Sequence, residues 1–61
     1  MNITIWYIDG STEHYIGDYA VLDSVVEIRH FPPDSTQGID VFIPIHNIRK
    51  IVAAVARDDQ T

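Results

Sequence analysis

Apolar and β-branched side chains come in short runs separated by turn residues. The first, Ile3-Thr4-Ile5-Trp6-Tyr7-Ile8, runs directly into Asp9-Gly10. Asp-Gly supplies the positive φ angles of a tight hairpin turn, so a first strand is predicted to turn there and pair antiparallel with Thr12 to Ile16. Gly17 interrupts a run that resumes as Tyr19-Ala20-Val21-Leu22. A glycine so placed predicts a bulge or sharp bend, which lets one long strand curve across two sheets. Asp23-Ser24 marks a second turn, and Val25 to Phe31 reads as the third strand. Its two-residue period turns Val26 and Ile28 toward the core and Glu27 and Arg29 outward.

The stretch from Phe31 through Pro32-Pro33 to Gly38 is the clearest loop and the natural place for a mobile recognition segment, because tandem prolines remove two backbone donors and Gly38 permits a turn. Ile39 to Ile43 is the fourth strand, with Ile39, Val41 and Ile43 on one face, Asp40 and Phe42 on the other, and Pro44 ending it. Residues 45–56 read two ways. Ile48, Ile51, Val52 and Val55 fit a helical stripe. A helix would, however, put Arg49 and Lys50 near its positive end and Asp58 and Asp59 near its negative end, both against the dipole. The favoured reading is a short 3₁₀-like turn over Pro44 to Asn47 and a last strand from about Arg49 to Val55, with the helix as the alternative. Residues 1–57 then form one small domain, and Asp58 to Thr61 a polar tail expected to fray.

Size sharpens this picture. A chain of 61 residues buries only about 60% of its unfolded surface, and one small core rarely supplies more than ~3–5 kcal/mol. With no cysteine, neither disulfides nor thiolate zinc sites can reinforce it. Self-association is the reinforcement left, so a homo-oligomer is expected. A hydrophobic content of 46% against 21% charged residues predicts a folded chain rather than a disordered one. No run approaches the ~20 apolar residues of a membrane span, and the N-terminus lacks a signal-peptide pattern. A cytoplasmic location with no membrane partner is the expectation.

The net charge of −5 disfavours broad attraction to nucleic acid or anionic membrane. Charge is also polarised along the chain. Residues 1–28 hold Asp9, Glu13, Asp18, Asp23 and Glu27 without a single Lys or Arg, whereas Arg29, Arg49, Lys50 and Arg57 follow. Either the two regions attract one another, within the fold or between subunits, or these are solvated faces whose exposed pairs contribute only ~0–1 kcal/mol each.

Five short strands, a glycine bend, a long third connection and a tight turn before the last strand resemble a small SH3-like barrel, and within that class the Sm-like proteins. The residues carrying the resemblance are Asp9-Gly10, Gly17-Asp18-Tyr19-Ala20-Val21-Leu22-Asp23 and Phe42-Ile43-Pro44-Ile45-His46-Asn47-Ile48. It covers nearly the whole chain. The fold it implies is all-β: a five-stranded antiparallel SH3-like (Sm-like) barrel with a short 3₁₀ turn before the last strand. The function it implies is RNA binding by an oligomeric ring, with Tyr19 as a stacking platform and His46, Arg49 and Lys50 as the cationic rim. Only His46 stands where bacterial Sm-like chaperones carry a Lys-His pair, and fold does not transfer function.

Chemistry-bearing motifs are sparse. His14, His30 and His46 lack second ligands at zinc-module spacing, so no metal and no other cofactor is expected. Ser11, His14 and Asp18 could be written as nucleophile, base and orienter, but no nucleophile elbow or oxyanion-forming glycine pattern accompanies them. The expectation is no enzyme and no small-molecule substrate. The aromatics say more: a small core cannot take them all, and Tyr and Trp dominate interface hot spots. Trp6, Tyr7, Tyr15 and Phe42 are the candidate protein-interface residues. The leading functional reading is a non-enzymatic interaction module that self-associates through strand edges and binds a protein partner. The Sm-like RNA-binding ring is the alternative.

Overall fold

A computed structural model describes residues 1–55. Its strands are β1 (Asn2–Tyr7), β2 (Thr12–Val21), β3 (Val25–His30), β4 (Ile39–Pro44) and β5 (Ile48–Ala54), with a 3₁₀ turn over Ile45–Asn47 between the last two. All neighbours are antiparallel, in the order β4-β3-β2-β1-β5. The all-β, five-stranded reading and the 3₁₀ turn are both present. The helical alternative for residues 45–56 is not taken among the described residues, because Ile48–Ala54 pairs along the whole of β1. Ala56, Arg57 and the tail over 58–61 lie outside the described residues.

The Asp9-Gly10 turn works as its chemistry requires. Gly10 has φ 92° and donates its N–H to the Tyr7 carbonyl at 3.0 Å. The Asp9 carboxylate accepts from the Ser11 amide at 2.9 Å and from its hydroxyl at 2.6 Å, and these two bonds hold that carboxyl below the usual carboxylate range. Gly17 is the hinge of β2. Residues before it pair with β1 and residues from it onward pair with β3. The bend presses its Cα against β3 so closely that a Cβ would lie 1.9 Å from the Arg29 carbonyl oxygen.

The sheet must curl strongly. Laid flat, five strands about 4.8 Å apart would separate the outer two by about 19 Å. Yet a three-residue turn joins β4 to β5, and from Pro44 to Ile48 the chain reaches at most about 14 Å. The link is tied to both halves of the molecule: Ile45 N–H donates to Ser24 O at 3.0 Å, and Ile8 N–H to Asn47 O at 3.0 Å.

The expected closure into a barrel is not completed, since no ladder joins β4 to β5. Counted along an alternating five-stranded sheet, β4 and β5 run the same way, so the closing pair would be parallel. Parallel neighbours need a connection of about a dozen residues or more, and this link has three.

Inside the curl, Ile3, Ile5, Val26, Ile28 and Ile43 are buried, with Tyr7, Tyr15, Val41, Ile48 and Ile51 packed around them. All five buried side chains are β-branched and recur at the two-residue period, which is why they share one face. Ile8, Val21, Ile39, Phe42 and Val52 remain exposed. Among the described residues the one ion pair is Arg29–Asp40, at 3.3 Å and well exposed. None of the five acidic residues of the first part pairs with a described Lys or Arg, so intramolecular attraction between the two regions is not made there. Among the described residues no helix is long and apolar enough to cross a membrane.

Candidate functional site

The curled sheet has two wings. The first is β5, β1 and the first half of β2, and the second is the rest of β2, β3 and β4. Residues alternate between the core and the outer surface, so cross-strand register fixes what each wing presents. On the first wing the outward rows are Lys50–Trp6–Thr12, Val52–Thr4–His14 and Ala54–Asn2–Ile16. No carboxylate stands among them. On the second wing they are Asp18–Arg29–Asp40 and Ala20–Glu27–Phe42. Ala20, short between longer neighbours, leaves an open depression of about 260 Å³ bordered by Asp18, Tyr19, Glu27 and Arg29. The outer surface is therefore cationic and aromatic on one wing and acidic on the other.

Trp6 and Tyr7 point opposite ways. Trp6 faces outward with the Lys50 ammonium 4.9 Å from its ring centroid, a cation–π contact of about 0.5–1 kcal/mol at an exposed site. Tyr7 faces inward beside Tyr15, and both hydroxyls donate to one Glu13 carboxylate oxygen, at 2.5 Å and 2.7 Å. These bonds, Tyr7's first, hold the Glu13 carboxyl below its ordinary range against a smaller opposing effect of burial. Burial first, and then the Glu13 bond and charge, push both hydroxyls up, Tyr15 to about 12. Tyr15 also meets the His30 ring edge-on, centroids 5.3 Å apart, while His30 Nδ1 accepts the Ile16 N–H at 3.0 Å. Tyr7 and Tyr15 thus form a tethered pair at the core's rim, and Trp6 and Phe42 are the two interface candidates on the outer surface.

The sign of the pH dependence follows. The raised tyrosines contribute stability that is intact below their ordinary value of about 10 and is lost as pH climbs toward about 12. The lowered Glu13 contributes stability present above the ordinary carboxylate range and lost as pH falls through its depressed value. Glu13→Gln is expected to bring the phenolate absorbance of Tyr7 and Tyr15 to lower pH. It should also cost about 1 kcal/mol at neutral pH, a charged hydrogen-bond value reduced for solvent exposure. Spectrophotometric titration of parent and variant checks this, and superimposable curves would refute the shared carboxylate.

The remaining sequence candidates are dispersed. Tyr19 lies opposite Ile28 on the inner side of β2, His46 sits in the 3₁₀ turn, and Arg49 is the extra residue where register shifts between Trp6/Lys50 and Tyr7/Ile48. Together with Lys50 they occupy three separate elements. The Ser11 hydroxyl donates to Asp9 and His14 Nδ1 is hydrogen-bonded to Thr4 Oγ1 at 3.1 Å, so neither engages the other or Asp18. Among the described residues no three His, Asp or Glu side chains are grouped to hold a metal. Comparison with protein-family models, curated proteins and solved structures finds no match to this chain.

Sequence reasoning named strand edges as the self-association surface but not that β4 and β5 are those edges or which amides they leave open. Tyr7 N–H donates to Ser11 O and Gly17 N–H to Met1 O, so the odd-numbered residues of β1 bond β2 and the even-numbered ones bond β5. The partners Lys50, Val52 and Ala54 therefore point their amides at β1, leaving those of Ile51 and Ala53 aimed at the open edge. At the other side, Ile45 N–H bonds Ser24 O, continuing a ladder through Ile39, Val41 and Ile43. Asp40 and Phe42 are left with amides facing outward, and Pro44 has none. A clue was present in the sequence: Ile51-Val52-Ala53-Ala54-Val55 is apolar without alternation, as strands covered on both faces are.

Proposed function

We propose that this chain is a non-enzymatic interaction module that self-associates by pairing β4 of one copy with β5 of the next, and that the assembled module binds a protein partner. The observation that carries the first part is that, among the described residues, the outward amides of both edge strands pair with no other strand, while Ile39 and Phe42 on one edge and Val52 on the other stay exposed. Exposed hydrophobic edges template pairing with another chain. Pairing β4 with a second β4 is disfavoured, because Pro44 removes a donor at each end of that ladder. Pairing β5 with a second β5 leaves Phe42, 58% exposed, without a partner.

Pairing β4 with β5 has a specific geometric consequence. Directly opposed hydrogen-bonded residues share a face in an antiparallel ladder. The free amides belong to outward-facing Asp40 and Phe42 on one edge and to inward-facing Ile51 and Ala53 on the other. Phe42 of one copy is thereby carried onto the core side of the next, where it covers Ile51 and Ala53 from the open edge. This head-to-tail contact leaves a free β4 at one end and a free β5 at the other, so it propagates and stops only where the rotation between copies closes a ring. Light scattering on eluting protein across a range of concentrations tests the reading. A mass above the protomer's that grows with concentration to a fixed limit is expected, and a monomer at high micromolar concentration would rule it out.

A further inference from the structure

We propose that the outer face of the first wing binds an acidic, aliphatic-rich polypeptide segment, with Trp6 and Lys50 at its centre. The inference rests on the protein-binding half of the proposed function and not on edge pairing. Its basis is a contrast in charge. The protein carries nine carboxylate residues and four Lys or Arg, yet the three-strand surface made of Lys50, Trp6, Val52, Thr4, His14 and Ile16 presents a cation and no carboxylate. The neighbouring wing carries Asp18, Glu27 and Asp40 on the same outer surface, so acid is absent from the outer face of one wing rather than scarce everywhere.

The surface is also incompletely satisfied. Trp6, Ile16 and Val52 are 37%, 41% and 49% exposed. Among the described residues Lys50 has no ion pair and the Trp6 indole N–H no hydrogen bond, so each is left with a donor to satisfy. A carboxylate can pair with the Lys50 ammonium, while aliphatic side chains of the same segment cover Val52 and Ile16. The alternation suits an extended segment laid on a sheet, since its side chains reach the surface at every second residue. Tryptophan is also among the residues most enriched in interface hot spots.

Nucleic acid fits this face less well. Its affinity comes from neutralising several phosphates at once, and this surface offers one lysine and one histidine on a protein of net charge −5. The bulged Arg49 beside Lys50 adds to the attraction for either polyanion, so the test includes both.

Trp6 is the chain's single tryptophan, so its fluorescence reports on the proposed site directly. The full chain would be titrated with a short peptide whose every second residue is by turns Glu and Leu, with Ser between them so that both kinds reach the surface, with the same peptide carrying Lys for Glu, and with oligo(U). The acidic peptide is expected to shift Trp6 emission saturably. Its affinity should fall at least about tenfold in Lys50→Glu and at high salt, as screening of a surface contact requires. The Lys peptide and oligo(U) should leave the emission unchanged. No shift with the acidic peptide, equal affinity in Lys50→Glu and the parent, or an equal response to oligo(U) would each overturn the proposal. Lys50 is exposed and outward-facing, and Lys50→Ala with a circular dichroism spectrum separates loss of the site from loss of the fold. Light scattering of the same samples reads self-association independently, so failure of one claim is not confused with failure of the other.

Discussion

Gly17→Ala is expected to abolish cooperative folding, whereas Gly10→Ala should leave a folded, weakened protein. At Gly10 a Cβ meets no atom within 4 Å, so the penalty is the positive φ of 92° alone, about 1–2 kcal/mol for a non-glycine residue. At Gly17 the new methyl would sit 1.9 Å from the Arg29 carbonyl oxygen. That contact is with backbone, so relieving it means separating β2 from β3 at their first paired residues, Gly17 and His30. The Phe31 N–H to Ile16 O bond at 2.7 Å lies beside that opening and would go with it. Overpacking and a lost ladder end together cost more than about 3 kcal/mol, comparable with the whole margin of a core this size. Thermal melts by circular dichroism decide the matter. A Gly17→Ala protein melting within a few degrees of Gly10→Ala would show that β2 does not bend where the structure places the bend.

Ala53→Pro is expected to yield a folded monomer. The Ala53 amide points at the open edge and donates to no other strand, so proline there removes nothing from β1–β5 pairing. A second copy, by contrast, would lose a central ladder donor. Association should weaken at least about 100-fold, the loss expected of about 3 kcal/mol, while protomer stability changes by about 1 kcal/mol. Val52→Pro, one residue away, removes a bond to Thr4 and is expected to destabilise the protomer itself by about 3 kcal/mol. Phe42→Asp approaches the same interface from the other edge. Phe42 is exposed in the protomer, so the fold tolerates a carboxylate there, but pairing would press it unpaired onto the Ile51 and Ala53 of a neighbour. Sedimentation or light scattering of the three variants beside the parent reads the outcome. If Ala53→Pro associates as the parent does, β5 is not the contact.

The strands, the hairpin at Asp9-Gly10, the bend at Gly17 and the turn after Pro44 were legible in the sequence because each depends on near neighbours. Period-2 alternation set Val26 and Ile28 against Glu27 and Arg29, and Ile39, Val41 and Ile43 against Asp40 and Phe42, from local backbone geometry alone. The candidate sites were less legible. Trp6 and Tyr7 were both marked as interface aromatics, but adjacency told only that they oppose one another. Which of them turned inward followed from the register of β1 with its neighbours, which sets Tyr7 beside the core and its hydroxyl on Glu13. Lys50 was marked for its charge, and nothing near it in the chain announced Trp6, which lies forty-four positions earlier and meets it only through the β1–β5 register.

What the sequence by itself determined is the list of elements and the alternation of faces along each, since φ/ψ preference, turn chemistry and side-chain alternation act over a few residues. Only the tertiary structure decided that the barrel stays open between β4 and β5, that the free amides on those edges belong to opposite faces, and that the outer surface divides into a cationic and an acidic wing. Those properties arise from strand order and register. They compare residues tens of positions apart, and no local preference encodes the comparison.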